Sequence, residues 1–171
     1  MELSKSAPIE TAPTQDTILQ LRHTAFCLIL CLNYNDNKIL VESKSNFVGL
    51  VGGGVDQGET PEDACIREIA EETEGEIQID RDKLHFFRKI EFRTSKFFTD
   101  NQTWDGKKGS VFIYLSDSKR FAGIEANDSG IPHGKLSWYD LDEFFKINSD
   151  INQEEFERFC RNNNLPLKLS K

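Results

Sequence analysis

The sequence predicts an α/β sandwich. Apolar runs of strand length recur along the chain, short helical patterns are interspersed with them, and no internal repeat or interdomain linker interrupts the series. At 171 residues one domain is the natural size, long enough to bury a substantial core.

Taken in order, Met1 to Asp16 mixes Ser, Thr, Pro and both charges without an apolar block. It reads as a mobile tail, neither a secretory signal nor an anchor. From about Leu19 to Leu32 an apolar run centred on Cys27-Leu28-Ile29-Leu30-Cys31 suits a buried strand. Asn33 to Asn37 forms a turn and Lys38 to Glu42 a second strand, so the two pair as a hairpin. Phe47 to Val51 leads into the glycine turn Gly52-Gly53-Gly54, and a helix opens at Thr60. Further strands are expected over Leu84 to Phe92, Ser110 to Leu115 and Lys135 to Tyr139, the last followed by a short helix from about Leu141. A final amphipathic helix, about Gln153 to Asn162, offers Phe156, Phe159 and Cys160 to the core. The expected domain spans 17–165, with 166–171 as a second tail.

Composition narrows the function class. A net charge of −8 and a pI near 5.0 leave no overall basic footprint for nucleic acid, although a local groove stays open. No run is long enough to span a bilayer. Cysteines 27, 31, 65 and 160 have neither metal-finger spacing nor disulfide-rich density, which fits a reducing cytoplasm. Thirteen phenylalanines predict an aromatic-rich core.

Chemistry concentrates between Gly52 and Glu72. Thr60 is a natural N-cap, Pro61 takes the first helical position, and Glu62 and Asp63 sit where the helix dipole favours negative charge. At about 100° per residue Cys65, Ile66 and Ile69 share one face, while Glu68, Glu71 and Glu72 share another at i, i+3 and i+4. Unscreened, such neighbours repel by about 0.2–0.5 kcal/mol per pair, so grouping them adds nothing to helix stability. A solvated acidic face is one reading. The other is a magnesium site: the glycine turn lets backbone approach a metal or phosphate, and Arg67 can orient a carboxylate or fork onto Glu59.

Gly53, five residues, Glu59, seven residues, then Arg67-Glu68-Ile69-x-Glu71-Glu72 resembles the Nudix box of the Nudix hydrolases. Every charged position matches. Two positions depart: the family glycine after the second glutamate falls on Glu74, with Gly75 expected as the left-handed helix cap, and Val51 replaces a frequent proline. The resemblance implies a mixed sheet between helices, with the acidic helix on one side. It also implies Mg2+ (Mn2+ as substitute) held by Glu68, Glu72, Glu71 and the Gly53 carbonyl, with Glu59 and Arg67 in support. The general base stays open among Glu71, Glu125, Asp128 and His133.

The activity so implied is hydrolysis of a phosphoanhydride in a nucleoside diphosphate linked to another moiety. Nucleotide sugars, dinucleoside polyphosphates, nucleoside triphosphates and, as an alternative, diphosphoinositol polyphosphates are the substrates in view. A Nudix-like sensor without turnover is the second function class. Expected partners are a phosphorylated small molecule, by preference a nucleotide, with no membrane and a homodimer left open. Thr94 to Gly109 reads as a polar loop in which Phe97 and Trp104 stack a base while Lys107 meets phosphate beside Gly52 and Gly54. Alternatively its Phe residues belong to the core or a hinge, and its lysines to solvent.

Overall fold

The computed structural model describes residues 18–31, 37–44, 47–116 and 135–166. The expected amino-terminal tail, most of the first turn, the loop acids Glu125 and Asp128, His133, and all but Pro166 of the carboxy-terminal tail lie outside these residues. Among the described residues the strands are β1 (Leu21–Cys31), β2 (Lys38–Lys44), β3 (Phe47–Gly54), β4 (His85–Thr99), β5 (Gln102–Ser116) and β6 (Lys135–Asp140). The helices are α1 (Pro61–Glu72), α2 (Leu141–Ile147) and α3 (Gln153–Asn162), with one 3-10 turn at Arg81–Lys83.

The strands form one mixed sheet in the order β4-β5-β1-β3-β2-β6. Strands β1 and β5 run parallel, in register from Leu21–Gly106 to Cys31–Ser116, and the other pairs are antiparallel. The hairpin expected between β1 and β2 survives only next to its turn, as Leu30–Ile39 and Cys31–Lys38. Strand β3 inserts between the two, pairing Thr24 to Cys27 on one side and Val41 to Ser43 on the other.

The continuous apolar run of β1 follows from burial on both faces. Ala25, Cys27 and Ile29 pack with Ala64, Cys65 and Ile69 of α1. Leu28 and Leu30 point the other way, into a cluster with Phe144 of α2 and Phe156 and Cys160 of α3. That second layer is the aromatic one: Phe87 meets Phe156 and Phe159 edge-on, and Phe145 packs on Phe156. Helix α1 therefore lies on one face of the sheet, and α2 and α3 on the other.

Two expectations need correction. Thr94 to Gly109 is not a loop: both strands run on to a two-residue turn at Asp100-Asn101, with φ of 55° and 57°. Paired left-handed residues match the twist of a tight hairpin. A register shift between Arg93 and Phe97 precedes the tip. The second correction concerns the exit from α1. Gly75 N–H donates to Ala70 O (2.7 Å) and Glu74 N–H to Glu71 O (3.2 Å), a Schellman pattern that makes Glu74, φ 52°, the first left-handed residue. Gly75 is also left-handed, at φ 78°, but stands one position later.

Candidate active site

Helix α1 starts as its sequence dictates: the Thr60 hydroxyl accepts from Asp63 N–H at 3.1 Å, and Pro61 follows. Its buried side, Ala64, Cys65 and Ile69, fixes the helix against β1 and β3, which leaves Arg67 and Glu68 beside the glycine turn. Arg67 is the hub. It forks onto Glu59 through Nε–Oε1 (2.7 Å) and Nη2–Oε2 (3.0 Å). Its Nη1 donates to Glu68 (2.9 Å) and Glu71 (3.3 Å), and its Nη2 also reaches the carbonyl of Gly54 (3.0 Å). One guanidinium thus ties the loop acid, two helix acids and the end of β3 into a single unit.

Glu59 is fixed a second time by Asp56 N–H, at 3.0 Å, which closes the turn before the helix. The Arg67 hydrogen bond holds its carboxyl below the ordinary value of 4.5. Glu68 experiences the opposite balance: burial pushes its carboxyl up, and the bond and charge of Arg67 pull it back. Glu71 is the more solvent-exposed acid, whereas Glu72 Oε2 is buried.

The donor chemistry fits a hard divalent cation. The Glu68 carboxylate lies directly over Gly53, where an added Cβ would come within 2.5–2.6 Å of its two oxygens. Only glycine lets the acid descend onto the strand there, next to the backbone. Among the described residues no three His, Cys, Asp or Glu side chains converge closely enough to hold an ion by themselves. Magnesium retains water and substrate oxygens in its shell, so a few carboxylates and a carbonyl satisfy its protein share.

Two cavities flank the glycine turn. The first, about 430 Å³, lies on the face opposite α1 and is lined by Gly52, Gly53, Gly54, Phe26, Phe92 and Lys107, among others. The second, about 820 Å³, lies between the loop Val55–Pro61 and the projecting β4–β5 hairpin, with Trp104 and His23 in its wall. Of the expected substrate residues, Gly52, Gly54 and Lys107 come together in the first cavity. Trp104 faces the second, its indole N–H held by Thr99 O at 3.1 Å. Phe97 lines neither; its ring lies 5.7 Å below the Lys107 ammonium.

Other lining residues were not anticipated. Arg22, Thr24 and Phe26 alternate along β1 toward the first cavity, a period-2 signal that the run of hydrophobes after them hid. Asn148, buried at the end of α2, accepts Asp150 N–H through Oδ1 at 3.0 Å, and both residues close the far side. No local motif marks that pair. Arg22 borders both cavities. Its guanidinium covers Gly54, where a Cβ would lie 2.8 Å from Cζ, and its Nε donates to Asp100 at the hairpin tip at 3.1 Å.

Comparison with known proteins agrees with this architecture. No curated protein matches the sequence. Solved structures share the fold at low identity. The dihydroneopterin triphosphate pyrophosphohydrolase of E. coli is 20% identical, with a TM-score of 0.54 over 84% of this chain and 98% of that one. An Ap4A hydrolase binary complex from C. elegans is 17% identical, TM-score 0.51, over 83% and 99%. The NUDIX domain of Shewanella oneidensis NrtR, complexed with ADP ribose, is 14% identical, TM-score 0.53, over 84% and 88%. The NUDIX domain model matches residues 21–159, and the chain belongs to that family.

Proposed function

We propose that this chain is a Mg2+-dependent Nudix pyrophosphohydrolase, with Mn2+ as a substitute, acting on a nucleoside diphosphate linked to another moiety. The observation that carries the reading is the Arg67 hub, which fixes Glu59, Glu68 and the Gly54 carbonyl beside a cavity lined by all three glycines. A bound divalent ion supplies charge neutralisation of the diphosphate and a more acidic water. Glu68, Glu72 and Glu71, with the Gly53 carbonyl, are the groups proposed to hold it, and Arg67 and Glu59 keep those acids in place. In the reaction a water oxygen joins one phosphate, the bridging oxygen leaves on the other, and a proton is released. Glu71, the more exposed helix acid, is the described candidate to take that proton.

The nucleoside half is assigned to the first cavity, where Phe26 and Phe92 give an aromatic wall and Lys107 a cation for phosphate. The names of two neighbours, an Ap4A hydrolase and a NUDIX domain complexed with ADP ribose, support a phosphorylated nucleotide as the substrate class. A cytoplasmic setting belongs to the same proposal; among the described residues no helix is long and apolar enough to cross a membrane, and the four cysteines are free and buried.

The test is a substrate panel with magnesium in isotope-labelled water, products identified by mass. Two phosphorylated products, one carrying a single label, are expected. Tight binding of one member with no turnover of any would transfer the protein to the sensor class.

A further inference from the structure

Strand β4 is 15 residues long and stands at one edge of the sheet, with β5 as its one neighbouring strand among the described residues. Such an edge offers N–H and C=O groups to another strand, and proteins ordinarily blunt it with bulges, shortness or charge. The register with β5 shifts between Phe86 and Arg88 and again between Arg93 and Phe97. Between those points Arg88 to Arg93 pairs without interruption. That stretch reads Arg-Lys-Ile-Glu-Phe-Arg, so it carries both signs of charge. Ile90 and Phe92 turn into the layer of α2 and α3, which points Lys89 and Glu91 to the opposite face, both exposed. Lys89 has no ion pair among the described residues. Glu91, its side chain 61% exposed, meets Lys108 at 3.9 Å, a loose contact that leaves it accessible.

We propose that this edge is a dimer interface, in which β4 pairs antiparallel with β4 of a second copy of the chain about a two-fold axis at Ile90. Directly opposed residues of an antiparallel pair share a face and interact, and the two-fold repeats each pairing. About Ile90, Lys89 lies opposite Glu91 of the second copy, and Glu91 opposite its Lys89. On the other face Ile90 meets its own copy, with Arg88 opposite Phe92 on either side. Neighbouring registers are worse. An axis at Lys89 or at Glu91 sets a charge against itself, and the latter also sets Lys89 against Arg93. An axis at Phe92 matches Glu91 with Arg93, but it lays Arg88 against Lys96 and runs into the shifted stretch past Arg93. The charge order therefore favours one register, and the strand that complements it is its own copy. Ile90 and Phe92 also line the first cavity, so the second copy's strand runs along that cavity's edge.

The experiment is sedimentation velocity at low salt over about 1–100 μM, the range in which a weak dimer dissociates. It compares the full wild-type chain, Lys89→Glu, Glu91→Lys and an equimolar mixture of the two variants, with circular dichroism confirming that each is folded. The wild type should dimerise. Each reversal sets like charges opposite each other twice and should weaken dimerisation by at least about tenfold. In the mixture a mixed dimer restores opposite charges at both positions, so association should return to within about threefold of the wild type. The double variant Lys89→Glu/Glu91→Lys should dimerise on its own for the same reason. A wild type that stays monomeric throughout the range overturns the inference. So do single variants that dimerise as well as the wild type, which would place the contact elsewhere, and single variants that stay monomeric when mixed. Turnover is not read, so the hydrolase reading and this one stand or fall separately.

Discussion

At Gly53 an added methyl group would meet the far end of the Glu68 side chain, whereas at Gly52 it would meet the backbone of Ala25 and, at 2.8 Å, Phe26 Cα. The two neighbouring glycines are therefore expected to respond differently to substitution. Gly52→Ala is expected to lower unfolding free energy by about 3 kcal/mol, because the β1–β3 pairing must open, as measured by denaturant titration. Gly53→Ala should leave stability within about 0.5 kcal/mol and instead weaken Mg2+ binding by about tenfold, read by calorimetry. Equal destabilisation by both would contradict the distinction. Glu74 gives a third prediction. It occupies the C′ position of a Schellman cap, where a side chain in the left-handed region costs about 1 kcal/mol. Glu74→Gly should raise the unfolding free energy by that amount, seen as a higher denaturation midpoint at unchanged m-value; no gain would mean that its side chain offsets the strain. The box acids and their spacing were legible from residues alone. The identity of the capping residue was not, since Glu74-Gly75 permits a stop at either position and hydrogen bonding chooses.

Helix α1 is held at its start as well as along its buried side. Arg81 of the 3-10 turn pairs with Asp63 and, at 3.6 Å, with Glu62, while Arg67 holds Glu59 just before the helix. The carboxyls of Asp63 and Glu59 are drawn below their ordinary values of 3.8 and 4.5 by the guanidinium hydrogen bonds. A depressed folded-state value means that the pairing stabilises the fold above the ordinary carboxylate range and that this contribution disappears as pH falls through the depressed value. Between about pH 5 and pH 2 the wild type should thus lose more stability than Asp63→Asn, measured by denaturant midpoints across the series. Parallel curves would contradict the role of the Arg81 pair. At this scale α1, α2 and α3 were readable because caps and 3.6-residue periodicity are local properties. The β4–β5 hairpin was not: beyond Arg93 it projects past the core, so its strands lack the apolar alternation that marks a half-buried strand, and Phe98 is 70% exposed. Its signal was the Asp100-Asn101 turn between aromatic residues.

Across the whole molecule the sandwich places the acidic helix α1 on one face of the sheet and the first cavity on the other, meeting where β1 begins and β3 ends, at Arg22 and Gly54. The class of fold followed from alternating runs, but strand order did not. The parallel pairing of β5 with β1, and the insertion of β3 between β1 and β2, depend on contacts far apart in sequence, and with them the cavity built by Arg22, Phe26, Phe92 and Asn148. Loss of a proposed metal acid should separate chemistry from folding: Glu72→Gln is expected to reduce kcat by a hundredfold or more, on the order of losing a metal-site contact, with an unchanged circular dichroism spectrum. The most direct measurement is a Mn2+ titration followed by electron paramagnetic resonance on the wild type, Glu68→Gln and Glu72→Gln. The wild-type chain should bind the ion and each variant should bind it at least about tenfold more weakly. Equal binding by all three, or none by the wild type, would contradict the claim that these two acids hold the cation.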